Sequence, residues 1–237
     1  MMRRRARWLV WLGGLLGAKV LLSLAIQLWP VPTPPWARRL LHSRWRRCYR
    51  DPAQTLQLLP IQPGMRVLEL GTGSGLFTAE AARMVGAHGQ LLSVDLQPAM
   101  LRPVQQQFQQ AGLQNVLLSA ATAEHLPLPD NSVDLVFAIA VLPMIRDKPQ
   151  ALREARRVLS PAGVLAVSEE LIEPEYVPAF VTRRWCRRAG FTLTACTRTR
   201  WWYMLHFRPC CETCADSRER AHASELTHAA QSPRPRP

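Results

Sequence analysis

The stretch from Val67 to Gly75 limits the fold more than any other part of this chain. It reads Val-Leu-Glu-Leu-Gly-Thr-Gly-Ser-Gly, which is a short apolar strand followed by a loop with glycine at every second position. Glycine lets a backbone turn sharply and approach a ligand where a Cβ would collide. A helix predicted over residues 76–85 would point its free N–H groups at the same place. The stretch therefore predicts a nucleotide-type binding corner.

Helix and strand patterns alternate on both sides of this corner. Strands are predicted over 66–70, 90–95, 116–119, 133–139, 164–168, 191–199 and 202–207, and helices over 51–59, 76–85, 98–112, 148–159 and 178–189. A short turn joins the last two strands, which predicts an antiparallel pair. Five strand-then-helix units closed by a hairpin predict an α/β fold with a doubly wound, mostly parallel sheet.

The positive charge is concentrated ahead of this sheet domain. The 237 residues have a formal net charge of +13, and residues 1–50 include eleven basic residues and no acid. The predicted sheet domain, residues 51–208, has fifteen basic and thirteen acidic residues and is nearly neutral. This distribution favours contact with a membrane surface and disfavours a nucleic-acid-binding face. A basic flank that only orients a membrane segment is also compatible with it.

The N-terminus combines a basic start with a long apolar run. Residues 8–29 contain no proline and, as a helix, would span roughly 33 Å. Trp8, Trp11 and Trp29 lie where interfacial aromatic residues are expected. We expect residues 1–29 to form a transmembrane anchor, although Lys19 falls near its middle. A cleaved signal peptide and a helix lying in the membrane interface are the two alternatives.

Two further segments complete the predicted domain organisation. Residues 30–50 read as a stiff proline-rich linker followed by a basic amphipathic helix, which either binds anionic lipid or packs on the domain. Residues 209–237 are polar and aperiodic, and we predict that they are disordered. Six arginines follow the apolar run and four precede it. This count favours a single-pass membrane protein whose sheet domain, residues 51–208, is cytoplasmic.

The six cysteines form no recognisable disulfide or metal framework. Cys211 and Cys214 make one Cys-x-x-Cys in the polar tail without a second pair of cysteines. The nearest histidines, His206 and His222, fall outside zinc-finger spacing. We therefore predict no metal site.

Two acids flank the glycine loop. Glu69 precedes it, and Asp95 ends the next predicted strand, from which a carboxylate can reach both hydroxyls of a ribose. Asp95 could instead cap the helix that follows. The dinucleotide fingerprint is G-x-G-x-x-G, whereas this loop reads Gly-x-Gly-x-Gly. This spacing argues against an NAD-dependent oxidoreductase, which stays open as a less favoured hypothesis.

Two later segments narrow the choice. Residues 123–136 read Ala-Glu-His-Leu-Pro-Leu-Pro-Asp-Asn-Ser-Val-Asp-Leu-Val, and residues 152–163 read Leu-Arg-Glu-Ala-Arg-Arg-Val-Leu-Ser-Pro-Ala-Gly. Together with the glycine loop, they closely resemble the class I S-adenosylmethionine-dependent methyltransferases. The similarity is to the type 11 branch, which includes the ubiquinone/menaquinone C-methyltransferases and other small-molecule and lipid methyltransferases. It covers residues 51–207.

This resemblance implies a sheet order, a cofactor and a set of binding residues. The order is 3-2-1-4-5-7-6 with strand 7 antiparallel, and the cofactor is S-adenosylmethionine. The implied cofactor-binding residues are Glu69, Gly71, Gly73, Gly75, Asp95, Leu96, Thr122, Ala123, Glu124 and Ala138.

The implied roles of these residues divide along the cofactor. The three glycines line its methionine and ribose, and Glu69 supports their loop and binds the amino group directly or through water. Asp95 holds the ribose hydroxyls, and Leu96 lies against the adenine. Residues 122–124 reach the adenine edge, and Ala138 borders the methionine.

Two departures from the family pattern bear on activity. Thr122 stands where family members often have an aspartate, and a hydroxyl accepts a hydrogen bond more weakly than a carboxylate. Residues 141–144 read Val-Leu-Pro-Met where many relatives carry a histidine or another polar pair. No general base is visible there, although methyl transfer from a sulfonium can proceed by alignment and desolvation. The alternative function is a membrane-tethered S-adenosylmethionine-binding module with weak or no activity.

The acceptor is predicted from the apolar character of this site. No large insertion covers the site, and Val141, Leu142 and Met144 lie beside it, which suits a small apolar or lipid-like acceptor near a bilayer. Four acids follow the fifth predicted strand, namely Glu169, Glu170, Glu173 and Glu175. We expect them to lie in a solvated loop, and binding of a cation or a polar head group is the alternative.

Overall fold

Strands and helices alternate from Arg50 to Cys210, the part of the chain that the computed structural model describes. The strands are β1 (Arg66–Leu70), β2 (Gln90–Asp95), β3 (Val116–Ala120), β4 (Val133–Ile139), β5 (Leu159–Glu170), β6 (Phe191–Arg198) and β7 (Trp202–Pro209). The helices are α1 (Pro52–Leu56), α2 (Thr78–Val85), α3 (Pro98–Gln110), α4 (Lys148–Val158) and α5 (Ala179–Arg188), with a 3-10 helix at Leu142–Met144. Three strands, β1, β2 and β4, have the predicted bounds.

The seven strands form one sheet in the order β3-β2-β1-β4-β5-β7-β6, which confirms the predicted topology. Strand β1 lies between β2 and β4 and is parallel to both. Strand β7 is antiparallel to β5 and β6. After β3 the chain crosses to the other side of β1, so the order reverses between β1 and β4. In sheets of this kind, ligands bind outside the carboxyl ends of the strands at such a reversal.

The central strand is buried on both faces because helices cover both sides of the sheet. Val67 to Leu70 are all buried, so the strand shows no alternation of apolar and polar residues. Leu68 and Leu70 pack in a core cluster with α4 and α5. Val67 points the other way and packs with α1 and α2. The glycine loop after β1 is therefore attached to a buried and well-packed strand.

Strand β5 is longer than the prediction of residues 164–168 at both ends. Leu159 already pairs with Val133, and the register with β4 shifts before Val164, which accommodates Ser160–Gly163 within the strand. At the other end Glu169 and Glu170 continue the strand and are 2% and 0% exposed. The prediction that these two acids lie in a solvated loop was wrong. The buried Arg50 lies beside Glu170, with 3.6 Å between Nε and Oε1, and offsets its charge.

The described domain extends slightly beyond residues 51–208 at both ends. Arg50 is buried, and Cys210 is buried with its N–H donating to the Gly190 carbonyl at 2.8 Å. The predicted anchor (1–29), almost all of the linker and basic helix (30–50), and nearly all of the tail (209–237) lie outside the described residues. Between Arg50 and Cys210, no helix is long and apolar enough to cross a membrane. Within the same range, no group of three or more His, Cys, Asp or Glu residues could hold a metal ion.

Candidate active site

A cavity of about 550 Å³ opens at the carboxyl ends of β1, β2 and β4. One wall is the glycine loop with the residues that follow β2 and β3. The opposite wall comes from the chain after β4 and from the loop after β5. The ranges that line the cavity are 70–74, 76–77, 94–97, 121–125, 139–141 and 144–146, together with Met100, Glu173 and Glu175.

Two glycines of the loop line this cavity and could not be replaced without strain. Gly71 has φ +78°, and a Cβ there would lie 2.5 Å from Cγ2 of Val141. Gly73 has φ +51°, and its N–H donates to Oδ2 of Asp95 at 2.9 Å. The N–H of Gly71 also donates to the Val94 carbonyl at 2.8 Å, which ties the loop to the end of β2. The loop backbone is therefore held open toward the cavity, as predicted from its glycines.

Gly75 lies outside the cavity wall, although it belongs to the same glycine pattern. Its φ is +78°, and a Cβ there would lie 2.9 Å from Cγ1 of Val104 on α3. The glycine thus permits close packing between the loop and a helix. Its placement does not match the predicted contact with a cofactor.

Glu69 lies behind the loop and not in the cavity wall. It is 3% exposed, and the hydroxyls of Thr78 and Ser93 both donate to its Oε2. Burial raises the pKa of this carboxyl to about 8, the two hydrogen bonds oppose the rise, and the charge of Asp95 adds to it. Glu69 is therefore mostly protonated at neutral pH. Its position fits support of the loop, and not direct contact with a ligand.

Asp95 is held in place and still presents acceptor capacity to the cavity. Its Oδ2 accepts from the Gly73 N–H and its Oδ1 accepts from the Gln97 N–H, both at 2.9 Å. Gln97 is the N-cap residue of α3, but no side chain caps this helix. Each carboxylate oxygen can accept a second hydrogen bond. This arrangement fits a pair of ribose hydroxyls, and Leu96 beside it is 58% exposed, as a side chain that covers an adenine would be.

The segment after β3 contributes three predicted residues, Thr122, Ala123 and Glu124, to the cavity wall. The Glu124 side chain accepts from the Asp147 N–H at 3.3 Å, and its carbonyl accepts from the Gln150 side chain at 3.3 Å. The start of α4 therefore fixes the position of this wall. These three residues line the cavity, and their contact with the adenine stays a prediction.

The residues that line the cavity after β4 lie one to three positions beyond the predicted Ala138. Ala138 is 1% exposed and packs in the core, whereas Ile139, Ala140 and Val141 line the cavity. Ala140 has φ +56°, which is uncommon for a residue other than glycine, and its N–H donates to the Ser168 carbonyl at 2.7 Å. No sequence signal marks this turn, because its strained residue is an alanine.

The remaining cavity wall is mostly apolar, with charged residues at its rim. Phe77, Met144 and Ile145 supply apolar side chains. Phe77 was assigned to a helix in the sequence, but α2 begins one residue later and has no side-chain cap that would have marked its start. Glu173 and Glu175 also line the cavity, so they are not simply part of a solvated loop.

These features together fit S-adenosylmethionine. The volume lies within the usual range of small-molecule sites, about 300 to 1,000 Å³. Gly73 leaves open space where a side chain would stand, Gly71 allows Val141 to pack against the loop, and Asp95 offers acceptors for hydroxyls. The polar and apolar walls face one space, which suits a polar donor beside an apolar acceptor.

Comparison with known proteins identifies a family for this chain. Residues 61–198 match the methyltransferase domain family. The ubiquinone/menaquinone biosynthesis C-methyltransferase UbiE of Shewanella frigidimarina is 36% identical over 130 residues, which are 54% of this chain and 49% of that protein. UbiE of Vibrio cholerae is 36% identical over 138 residues, or 56% of this chain and 51% of that protein. The chain thus spans about half the length of the curated relatives it matches.

Solved structures show the same fold. A SAM-dependent methyltransferase from Aquifex aeolicus superposes with a TM-score of 0.70 at 24% identity, covering 74% of this chain and 98% of that one. The [4+2]-cyclase SpnF superposes with a TM-score of 0.61 at 20% identity, covering 71% and 83%. These two likenesses concern the fold alone. The family match extends over more than half of the chain, and the protein belongs to the methyltransferase domain family.

Proposed function

We propose that this protein is an S-adenosylmethionine-dependent methyltransferase that acts on a small apolar or lipid-like acceptor at a membrane. The observation that carries the proposal is one cavity with two unlike walls. Asp95 and Gly73 form a hydrogen-bonded polar corner, and Phe77, Val141 and Met144 form the apolar side. Family membership supports the methyl transfer, and the apolar wall supports the class of acceptor.

The polar corner holds the methyl donor. Asp95 would accept hydrogen bonds from the ribose hydroxyls, and Leu96 would pack against the adenine. Gly73 would allow the donor to approach the backbone, and Thr122 would offer a weaker acceptor in place of the usual carboxylate. When bound, S-adenosylmethionine supplies an electrophilic methyl group on a positively charged sulfur.

The apolar wall prepares the acceptor. Phe77, Val141 and Met144 exclude water from the nucleophile and fix its distance and orientation, which are the main contributions that methyl transfer requires. Glu173 and Glu175 line the cavity, where their carboxylates would accept a proton released by the acceptor. A general base directly after β4 is therefore not necessary.

The curated relatives support an apolar acceptor. The proteins from S. frigidimarina and V. cholerae are named for ubiquinone and menaquinone biosynthesis, and quinones are largely apolar. The apolar run over residues 8–29 and the arginines that follow it support attachment to a membrane with the domain on the cytoplasmic side. The acceptor, the anchor and the location together form the proposal.

Labelled methyl donor, incubated with membranes that contain the full chain, tests this function. We expect label in the organic-soluble fraction, and no such label with Gly73→Arg, which fills the space above the loop. Gly64→Arg is the matched control, because nothing lies within 4 Å of a Cβ at that exposed turn. Label confined to protein or nucleic acid would contradict the acceptor. Binding of the donor without any transfer would favour the alternative of an inactive module.

A further inference from the structure

The exposed large apolar side chains are concentrated at one edge of the sheet. In the described part of the chain they are Leu96, Leu117, Leu171, Phe180 and Trp201. Leu96 follows β2, Leu171 follows β5, Phe180 lies in the first turn of α5, and Trp201 precedes the antiparallel β7. All four therefore lie at the edge where the parallel strands end and the cavity opens. Only Leu117, in β3, lies elsewhere.

Three of these side chains are accompanied by arginines. The Leu171 N–H donates to the Trp201 carbonyl at 2.7 Å, so these two residues are adjacent. Arg198 and Arg200 are exposed in the same hairpin, and the Arg200 guanidinium lies 5.5 Å from the centre of the Trp201 ring. Phe180 is 69% exposed. Two further exposed residues, Arg183 and Arg184, follow it by about one helical turn.

We propose that this edge, formed by Leu171, Phe180 and Trp201 with Arg198 and Arg200, docks on an anionic lipid bilayer. Single exposed apolar residues are ordinary on protein surfaces. A tryptophan, a phenylalanine and a leucine grouped at one edge with exposed arginines form the pattern of an interfacial surface. The aromatic rings occupy the headgroup level, and the guanidinium groups pair with anionic phosphates.

The position of Arg50, the first described residue, favours a lipid bilayer as the partner of this edge. Arg50 is the first described residue, and its Nη2 donates to the hydroxyl of Ser168 at 2.6 Å. Its guanidinium lies 4.6 Å from the centre of the Trp202 ring, directly beside Trp201. The preceding 49 residues carry the apolar run and most of the excess positive charge. Arg50, which follows them directly in the sequence, contacts Trp202 next to the docking edge, and the inference rests on the membrane part of the proposed function.

The docking edge also explains how an apolar acceptor reaches the cavity. Glu173 and Glu175 lie between Leu171 and Phe180 in sequence and line the cavity. One loop therefore carries apolar residues on its outer side and forms the rim of the site. With this loop on the bilayer, the cavity opens toward lipid, and the acceptor avoids water.

Hydrogen exchange of the full chain on two kinds of vesicle tests the docking edge. One vesicle consists of phosphatidylcholine, and the other also contains phosphatidylglycerol. We expect exchange within residues 171–182 and 199–202 to slow severalfold on the anionic vesicle only. The double variant Leu171→Ser with Trp201→Ser should lose this protection and still float with both vesicles. The matched control Leu117→Ser should retain it.

Three results would overturn the proposal. Equal exchange on the two vesicles, with the chain floating on both, removes the docking edge and leaves the methyltransferase proposal intact. A chain that floats with neither vesicle contradicts both the anchor and the docking edge. Slower exchange that appears without vesicles as the chain concentration rises identifies a second copy as the occupant. Methyl transfer is not measured here, so an inactive enzyme would not alter the outcome.

Discussion

The two walls of the cavity are built in different ways. On the polar wall, the contacts join residues of neighbouring strands in one compact motif, such as Gly73 N–H to Asp95. On the apolar wall, Val141 packs against Gly71, the Ala140 N–H donates to the Ser168 carbonyl, and Arg50 donates to Ser168 across 118 positions of sequence. A motif of fixed spacing thus positions the polar wall. The apolar wall depends on distant partners.

The buried acids beside each wall show the same contrast. Glu69 is held by two hydroxyls and is mostly protonated at neutral pH. Glu170 lies beside the Arg50 guanidinium, which the chain brings from the edge of the domain. Burying a neutral carboxyl group with nearby hydrogen-bond donors costs little folding free energy. A buried ion pair, in contrast, destabilises the fold strongly when either partner is removed.

Replacement of Arg50 by methionine should give the largest change in stability. The variant leaves Glu170 buried without the adjacent cation, and such losses typically cost about 3–5 kcal/mol. Denaturant unfolding of the full chain measures the difference. Arg83→Met is the matched control, because its pair with Glu80 is largely exposed and should contribute less than about 1 kcal/mol. Equal effects of the two variants would remove the contrast between the walls.

Glu69→Gln should make stability less dependent on pH. The folded pKa of Glu69, about 8, lies above the value of an ordinary glutamate, so the folded state binds more protons between these values. The contribution of Glu69 to the free energy of unfolding is therefore greatest at low pH. It falls as the pH rises toward the folded pKa, by up to about 1.4 kcal/mol per pH unit. The wild type should lose roughly 2–3 kcal/mol more than the variant between about pH 6 and about pH 8. Parallel thermal unfolding profiles would show that Glu69 ionises normally.

Gly71→Ala should weaken binding of S-adenosylmethionine about 100-fold, because the Cβ meets Val141 and the backbone is left-handed. Calorimetric titration measures this loss. Gly64→Ala carries a similar φ of +88° with nothing within 4 Å, so it isolates the cost of the backbone conformation and should leave binding unchanged. The double variant Gly71→Ala with Val141→Ala should recover part of the affinity. No recovery would mean that the two walls do not meet at this point.

Asp95→Asn should have the smallest effect, a loss of about tenfold in affinity for the donor, because the amide accepts hydroxyls more weakly than a carboxylate. Asp134→Asn is the control, since Asp134 also accepts a backbone N–H, from Arg66, but at the opposite edge of the sheet. Titration of both variants at the same ionic strength makes the comparison. A similar loss of affinity in both variants would mean that the effect of Asp95→Asn does not arise from a contact in the cavity.

The sequence-based predictions are more accurate for the polar wall than for the apolar wall. Strands β1, β2 and β4 are apolar runs with clear ends, and their bounds were predicted to the residue. Gly71, Gly73, Asp95, Leu96 and residues 122–124 line the cavity because motif spacing places them there. Glu69, Gly75 and Ala138 lie behind the wall, where they support or pack against it.

The errors concern features that only distant contacts create. The extension of β5 through Glu170 pairs with β7 and buries Glu170 beside Arg50, which in sequence looks like one arginine of a basic helix. The turn at Ala140 has no glycine to announce it, and Phe77 reaches the cavity because α2 begins after it. None of these three features can be predicted from the residues that are its neighbours in the sequence.

Calorimetric titration of the full chain with S-adenosylmethionine and, separately, with NAD tests the central claim most directly. The polar wall built by Gly71, Gly73 and Asp95 predicts saturable binding of S-adenosylmethionine at one site per chain, weakened by Gly71→Ala, and no heat of binding with NAD. Binding of NAD, or the absence of S-adenosylmethionine binding by a folded wild-type chain, would contradict the account.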